Sequence, residues 1–109
     1  MIICLQSTDL MRRVRLSSAW KRAGHQVTAS PEEVAPELLV VDLSTPGALD
    51  TISRNQADFP QVTLIAFGPH TDSESLKKAE EAGVDKTVSQ GSVVDYVLKQ
   101  FQPRQPPES

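Results

Sequence analysis

Three apolar runs organise the chain: Ile2-Ile3-Cys4-Leu5, Leu38-Leu39-Val40-Val41 and Val62-Thr63-Leu64-Ile65-Ala66-Phe67. None alternates with polar residues, so each reads as a strand covered on both faces, as in the centre of a parallel sheet. Two more polar runs, His25 to Ala29 and Val84 to Ser89, suit sheet edges. Helical patterns fill the intervals. Ser7 or Thr8 is expected to cap a helix that carries Asp9 in its first turn and runs to about Ala23, where Gly24 stops it. In that helix Leu10 and Val14 are expected on the sheet, with Leu16, Trp20 and Ala23 toward the flank. Further helices are expected from Ala48 to Ala57 and from an Asp72 or Ser73 cap through Ala82. After a Ser92 cap, Val94, Val97, Leu98 and Phe101 follow the i, i+3, i+4, i+7 spacing of a last amphipathic helix.

The connection between the second and third strands breaks the pattern. Ser30, Pro31 and Glu33 make a good helix start, but Pro36 ends it after little more than a turn. A parallel crossover normally takes a dozen or more residues, so a stub is expected there. Strands alternating with helices define a doubly wound α/β domain. The flavodoxin-like order 2-1-3-4-5 puts the two polar strands at the edges and the three apolar ones inside. The domain is expected over residues 1–101. The segment 102–109, with three prolines and no aliphatic residue, is expected to be a disordered tail.

Composition narrows the function. The formal net charge of −3 gives no electrostatic footprint for nucleic acid, and the three arginines of Met11-Arg12-Arg13-Val14-Arg15 read as a solvated helix face. The single Cys4 lies in an apolar run and reads as a small buried hydrophobe; it cannot by itself build a zinc site. Apolar stretches fall well short of the ~18–20 residues that a membrane helix needs, and no charged leader precedes the first strand, so a cytoplasmic protein without a membrane partner is expected. No glycine follows the first strand, which argues against a dinucleotide site, and no glycine-flanked nucleophilic serine occurs.

Ligand sites in such sheets lie beyond the carboxyl ends of the strands, where the third strand delivers Asp42. Asp42-Leu43-Ser44-Thr45-Pro46, an aspartate followed by an apolar residue, two variable residues and a proline, resembles the motif after the third strand of bacterial response-regulator receiver domains. Ala79-Glu80-Glu81-Ala82-Gly83-Val84-Asp85 is similar to the alanine-rich helix end and glycine turn of that family. The resemblance implies a CheY-like fold in which Asp42 stands at the phosphoacceptor position. It also implies four supporting positions. Two adjacent acids that would hold Mg²⁺ are replaced by Gln6 and Ser7. The hydroxyl at the end of the fourth strand falls on Ala66, and Ile65 and Phe67 supply none in a shifted register. The lysine-proline pair after the fifth strand reads Gln90-Gly91. Lys86 stands at the other end of that strand, roughly 13 Å away at ~3.3 Å per residue.

These departures imply a pseudo-receiver: a non-catalytic regulatory domain without metal or cofactor, acting by contact with a signalling protein or by self-association, independently of phosphorylation. Two alternatives stay open, an atypical receiver phosphorylated on Asp42 and a flavodoxin-like domain for a small ligand. Otherwise Asp42 is an acid capping backbone N–H groups, and His70 a solvated loop residue that could titrate or bind an anion. By resemblance the docking face would include Lys77, Lys86, Tyr96 and Lys99; the flank around Val27, Ala29, Val34 and Ala35, thinly covered by the stub, competes with it.

Overall fold

The computed structural model describes residues 1–31 and 35–101. β1 (Ile2–Gln6), β2 (Gln26–Thr28), β3 (Leu38–Asp42), β4 (Thr63–Gly68) and β5 (Lys86–Ser89) form one parallel sheet in the order β2-β1-β3-β4-β5. The expected topology is therefore observed, with the two polar strands at the edges. Every residue of β3 is buried, as its unbroken aliphatic run requires.

Strand alternation divides the core in two. Ile3, Leu5, Leu38, Val40, Ile65 and Phe67 face α1 (Leu10–Arg22) and α4 (Val93–Gln100). Cys4, Leu39, Val41, Leu64 and Ala66 face α2 (Ala48–Asp58) and α3 (Ser73–Glu81). Among the described residues no helix joins β2 to β3, so the second crossover is shortened as expected. Glu33 of the expected stub and Val34 of the competing flank lie outside the described residues, as does the tail 102–109.

Two helices are rotated relative to expectation. In α1, Leu16 and Trp20 are buried, Trp20 with no exposed surface, while Leu10 and Val14 are 68% and 56% exposed. The expected sheet-facing pair therefore points outward. The cause is size: the indole fills the space between sheet and α4, its N–H within 3.5 Å of the Val94 carbonyl, and burying it outweighs burying Leu10 and Val14. The cap moves too. Asp9 is the N-cap, its carboxylate accepting from the Arg12 N–H at 2.9 Å, rather than a first-turn residue behind a Ser7 or Thr8 cap. In α4, Val93 and Val97 form the fully buried centre, and Val94, Leu98 and Phe101 pack around it half-buried.

Candidate functional site at the carboxyl edge

The site is built where three segments meet. Asp42 ends β3 and is 1% exposed, on the α1/α4 side of the sheet by alternation with Leu38 and Val40. One carboxylate oxygen, Oδ2, accepts from the Ser7 hydroxyl at 2.7 Å and from the Arg12 guanidinium at 2.7 Å. The other, Oδ1, accepts from the Ser44 N–H at 3.0 Å and from the Ser44 hydroxyl at 2.7 Å. Four donors thus fill the carboxylate's principal lone-pair directions.

Further bonds hold the same groups. The Arg12 guanidinium also donates to Ser44 Oγ at 2.9 Å, and Ser7 Oγ accepts from the Asp9 N–H at 3.2 Å. Thr8 N–H reaches Thr45 Oγ1 at 3.4 Å, so the loops after β1 and β3 are tied together above the carboxylate. Asp9 Oδ2 lies 3.7 Å from the Arg12 guanidinium, which places that cation between two carboxylates.

Local structure explains why Arg12 arrives there. Arg12, Leu16 and Trp20 are spaced at i, i+4 and i+8, a single stripe along α1. Burying Leu16 and Trp20 against the sheet carries Arg12 inward one turn earlier, at the carboxyl edge. Its guanidinium, planar and rich in donors, suits a carboxylate, and its side chain stays only 19% exposed. Arg12 is thus no member of a solvated arginine face, as the sequence suggested, but the counter-charge of Asp42.

The electrostatics follow. Burial pushes the Asp42 carboxyl up, but the Ser44 hydroxyl, the Arg12 guanidinium, the Ser44 N–H and the Ser7 hydroxyl outweigh it and hold the group below the usual carboxylate range. Asp42 is therefore an anion neutralised within its own chain.

The other expected positions fare differently. Ser7 is at the site. Gln6 lies on the opposite side of the sheet, where its Oε1 accepts from Asn55 Nδ2 at 2.8 Å. Asn55 itself is buried. The strand register pairs Val41 with Ala66 and Asp42 with Phe67, so the residue beside Asp42 is the fully buried Phe67, and Ala66 packs in the other core. β4 ends at Gly68, so neither Ala66 nor the strand end supplies the hydroxyl that the resemblance implies. Gln90 follows β5, its N–H donating to the Gly68 carbonyl at 2.7 Å. Lys86 pairs with Ile65, two residues before Phe67 on β4, and is remote from the carboxyl edge. His70 is exposed in the turn after β4. Arg12, Ser44 and Asn55 are the polar residues that sequence reasoning did not place.

The residues present do not fit the Mg²⁺ that a receiver would hold. A small divalent cation needs carboxylates that it can share with water and phosphate. Here a guanidinium already covers Asp42 Oδ2, Gln6 is turned away, and no group of three His, Cys, Asp or Glu residues able to hold a metal occurs among the described residues.

The fold is that of response-regulator receiver domains. The chain superposes on the receiver domain of the TMAO respiratory system response regulator TorR with a TM-score of 0.74 at 19% identity, covering 90% of this chain and 91% of that one. NtrX from Brucella abortus matches with a TM-score of 0.74 at 15% identity over 91% of this chain, which spans only 25% of the NtrX chain. A protein described as an atypical orphan response regulator with a phosphorylation-independent regulatory mechanism matches with a TM-score of 0.70 at 18% identity, over 96% of this chain and 100% of its own. At these identities the likeness concerns the fold. By sequence, neither a family model nor a curated protein matches the chain. Among the described residues no helix is long and apolar enough to cross a membrane.

Proposed function

We propose that the chain is a pseudo-receiver, a non-catalytic regulatory module that acts through protein contacts without phosphoryl transfer. One observation carries this reading: the carboxylate at the phosphoacceptor position already has an internal cation and three further donors. Phosphoryl transfer depends on a free carboxylate oxygen and on a metal that neutralises developing charge. In this site Arg12 does the neutralising permanently, and it blocks the oxygen that it neutralises. The atypical orphan regulator shows that a receiver fold can regulate without phosphorylation, which supports the same reading here. We place the module in the cytoplasm, in keeping with its single, buried cysteine. The face implied by resemblance, with Lys77, Lys86 and Lys99 exposed and Tyr96 half-buried, is one candidate for partner docking.

The test is direct. A site holding a divalent cation gains stability by mass action when millimolar Mg²⁺ is added. We expect no Mg²⁺-dependent rise in melting temperature, and no adduct by intact-mass measurement after acetyl phosphate or beryllofluoride. A Mg²⁺ stabilisation or an acid-stable, base-labile adduct that vanished in Asp42→Asn would restore phosphoryl transfer as the function.

A further inference from the structure

The β2 edge of the sheet is open. The Gln26 N–H donates to the Met1 carbonyl at 3.0 Å, and the parallel register sets Gln26 against Ile2, Val27 against Ile3 and Thr28 against Cys4. Alternate residues of a parallel strand pair with a given neighbour, so both the N–H and the C=O of Val27 point away from β1, off the edge of the sheet. Exposed edges are commonly blunted by charge, proline or a covering element. β2 reads Gln-Val-Thr, without charge or proline, and with the second crossover shortened α1 is the helix that packs beside it. Between α1 and β2 runs a groove of about 370 Å³. Leu5 and Val27 supply its apolar lining, and Arg13, Ser17 and Lys21, spaced at i, i+4 and i+8, supply its α1 wall. Among the described residues neither Arg13 nor Lys21 forms an ion pair.

We infer that this edge takes up an extended segment of a separate protein as a sixth, antiparallel strand, and that the segment carries an apolar residue with an acid two positions to either side. The inference deepens the pseudo-receiver reading by naming the edge that meets a partner and the partner's chemistry. In strand addition main-chain bonds supply affinity and alternate side chains supply selection. In the antiparallel arrangement one residue of the segment exchanges both bonds with Val27, and its side chain lies on the same face as Val27, toward α1. There it meets Leu5 and Val27, with the small Ser17 leaving room. The residues two before and two after it share that face. They stand ~13 Å apart at ~3.3 Å per residue, close to the ~12 Å that eight residues of helix put between Arg13 and Lys21. Acids at those two positions therefore meet the two cations of the groove wall. A second copy fits less well. His25 and Ala29, two positions either side of Val27, are not acids, and β2 against β2 would bring cations from both α1 helices to one seam.

The experiment is an amide-shift titration of the full ¹⁵N-labelled chain, with hydrogen exchange at the Val27 amide as a second readout. The probe is a blocked peptide with Glu-Thr-Val-Thr-Glu at its centre. It is compared with Thr-Glu-Val-Glu-Thr, which has the same composition but turns both acids to the opposite face, and with the first peptide N-methylated at its Val. The first peptide is expected to shift amides of β2 and of the Arg13 side of α1, to slow exchange at Val27, and to lose affinity as salt is raised. The rearranged and N-methylated peptides should each bind more weakly by about tenfold or more, equivalent to ~1.4 kcal/mol. Arg13→Glu with Lys21→Glu should weaken the first peptide to the same degree with unchanged circular dichroism, whereas Lys86→Glu with Lys99→Glu should leave its binding unaltered. Equal binding of the three peptides, shifts without slowed exchange at Val27, shifts centred on Lys77, Lys86 and Lys99, or no shift at millimolar peptide would each overturn the inference. So would β2 shifts that grow with protein concentration alone, which would assign the edge to a second copy. The peptide comparisons use the unaltered chain, so they decide the matter even where a variant fails to fold. All these outcomes leave the Mg²⁺ and phosphodonor measurements untouched, so failure of the edge is distinguishable from failure of the pseudo-receiver reading.

Discussion

The two sides of α1 solve opposite problems with similar residues. On the inner side Arg12, Leu16 and Trp20 are engaged: the cation sits on a buried carboxylate, and the two hydrophobic side chains are covered by sheet and α4. On the outer side Arg15 and Arg22 flank Leu10, Met11 and Val14, which are left open to water. The inner arginine is fixed because Asp42 would otherwise be an uncompensated buried charge. Among the described residues the outer ones have no comparable partner, and exposed cations contribute little to stability where they stand. A charge therefore acquires a structural role from the burial of its partner, and composition alone does not distinguish the two kinds of arginine in Met11-Arg12-Arg13-Val14-Arg15.

Breaking the inner side should have the largest effect. Arg12→Ala leaves Asp42 buried without its cation and is expected to cost about 3–5 kcal/mol in denaturant unfolding at neutral pH. A loss below about 1 kcal/mol would mean that water or Asp42 protonation replaces Arg12 readily, and the contrast between the two sides would fail. Removing the other partner is milder. Asp42→Asn keeps an oxygen for the Ser44 N–H and lets Arg12 turn toward Asp9, so about 1–3 kcal/mol is expected.

The same substitution should reshape the pH profile. Because the folded pKa of Asp42 lies below its unfolded value of about 3.9, the stability that it contributes is present above that pH and is lost as pH falls through the folded value. Asp42→Asn should flatten the acid limb of a plot of unfolding free energy against pH, and an unchanged limb would show that other carboxylates set it. The smallest effect belongs to the outer side. Val14→Ser is expected to change stability by less than about 0.5 kcal/mol by thermal unfolding. A larger loss would place Val14 in the fold's own packing.

The fold was legible because its signals are redundant. The apolar runs of β1, β3 and β4 and the polar edges of β2 and β5 each point to the same strand order, so an error in one element would not change the topology. The site was legible only in what it lacks. Gln6 and Ser7 in place of acids can be read along the chain, but Arg12 meeting Asp42 depends on the rotation of α1. Leu10 with Val14 and Leu16 with Trp20 are both helically spaced pairs, so periodicity cannot choose between them. Side-chain size can: placing Trp20 inward carries Arg12 to the carboxyl edge. The position beside Asp42 shows the same limit, since a shift of one residue along β4 exchanges Ala66 for Phe67 and one face of the sheet for the other.

The Arg12 guanidinium also bears on how such a module could be controlled. In a site that borrows its counter-charge from a dissolved ion and its signal from a transferred group, occupancy varies with supply and with time. Here the counter-charge is encoded in the chain, present in one-to-one ratio from the moment of folding and indifferent to chelators or phosphodonors. The closed edge is then a constant of the molecule, and under the pseudo-receiver reading proposed above the variable left to the cell is dose: how many copies are made and how long they last.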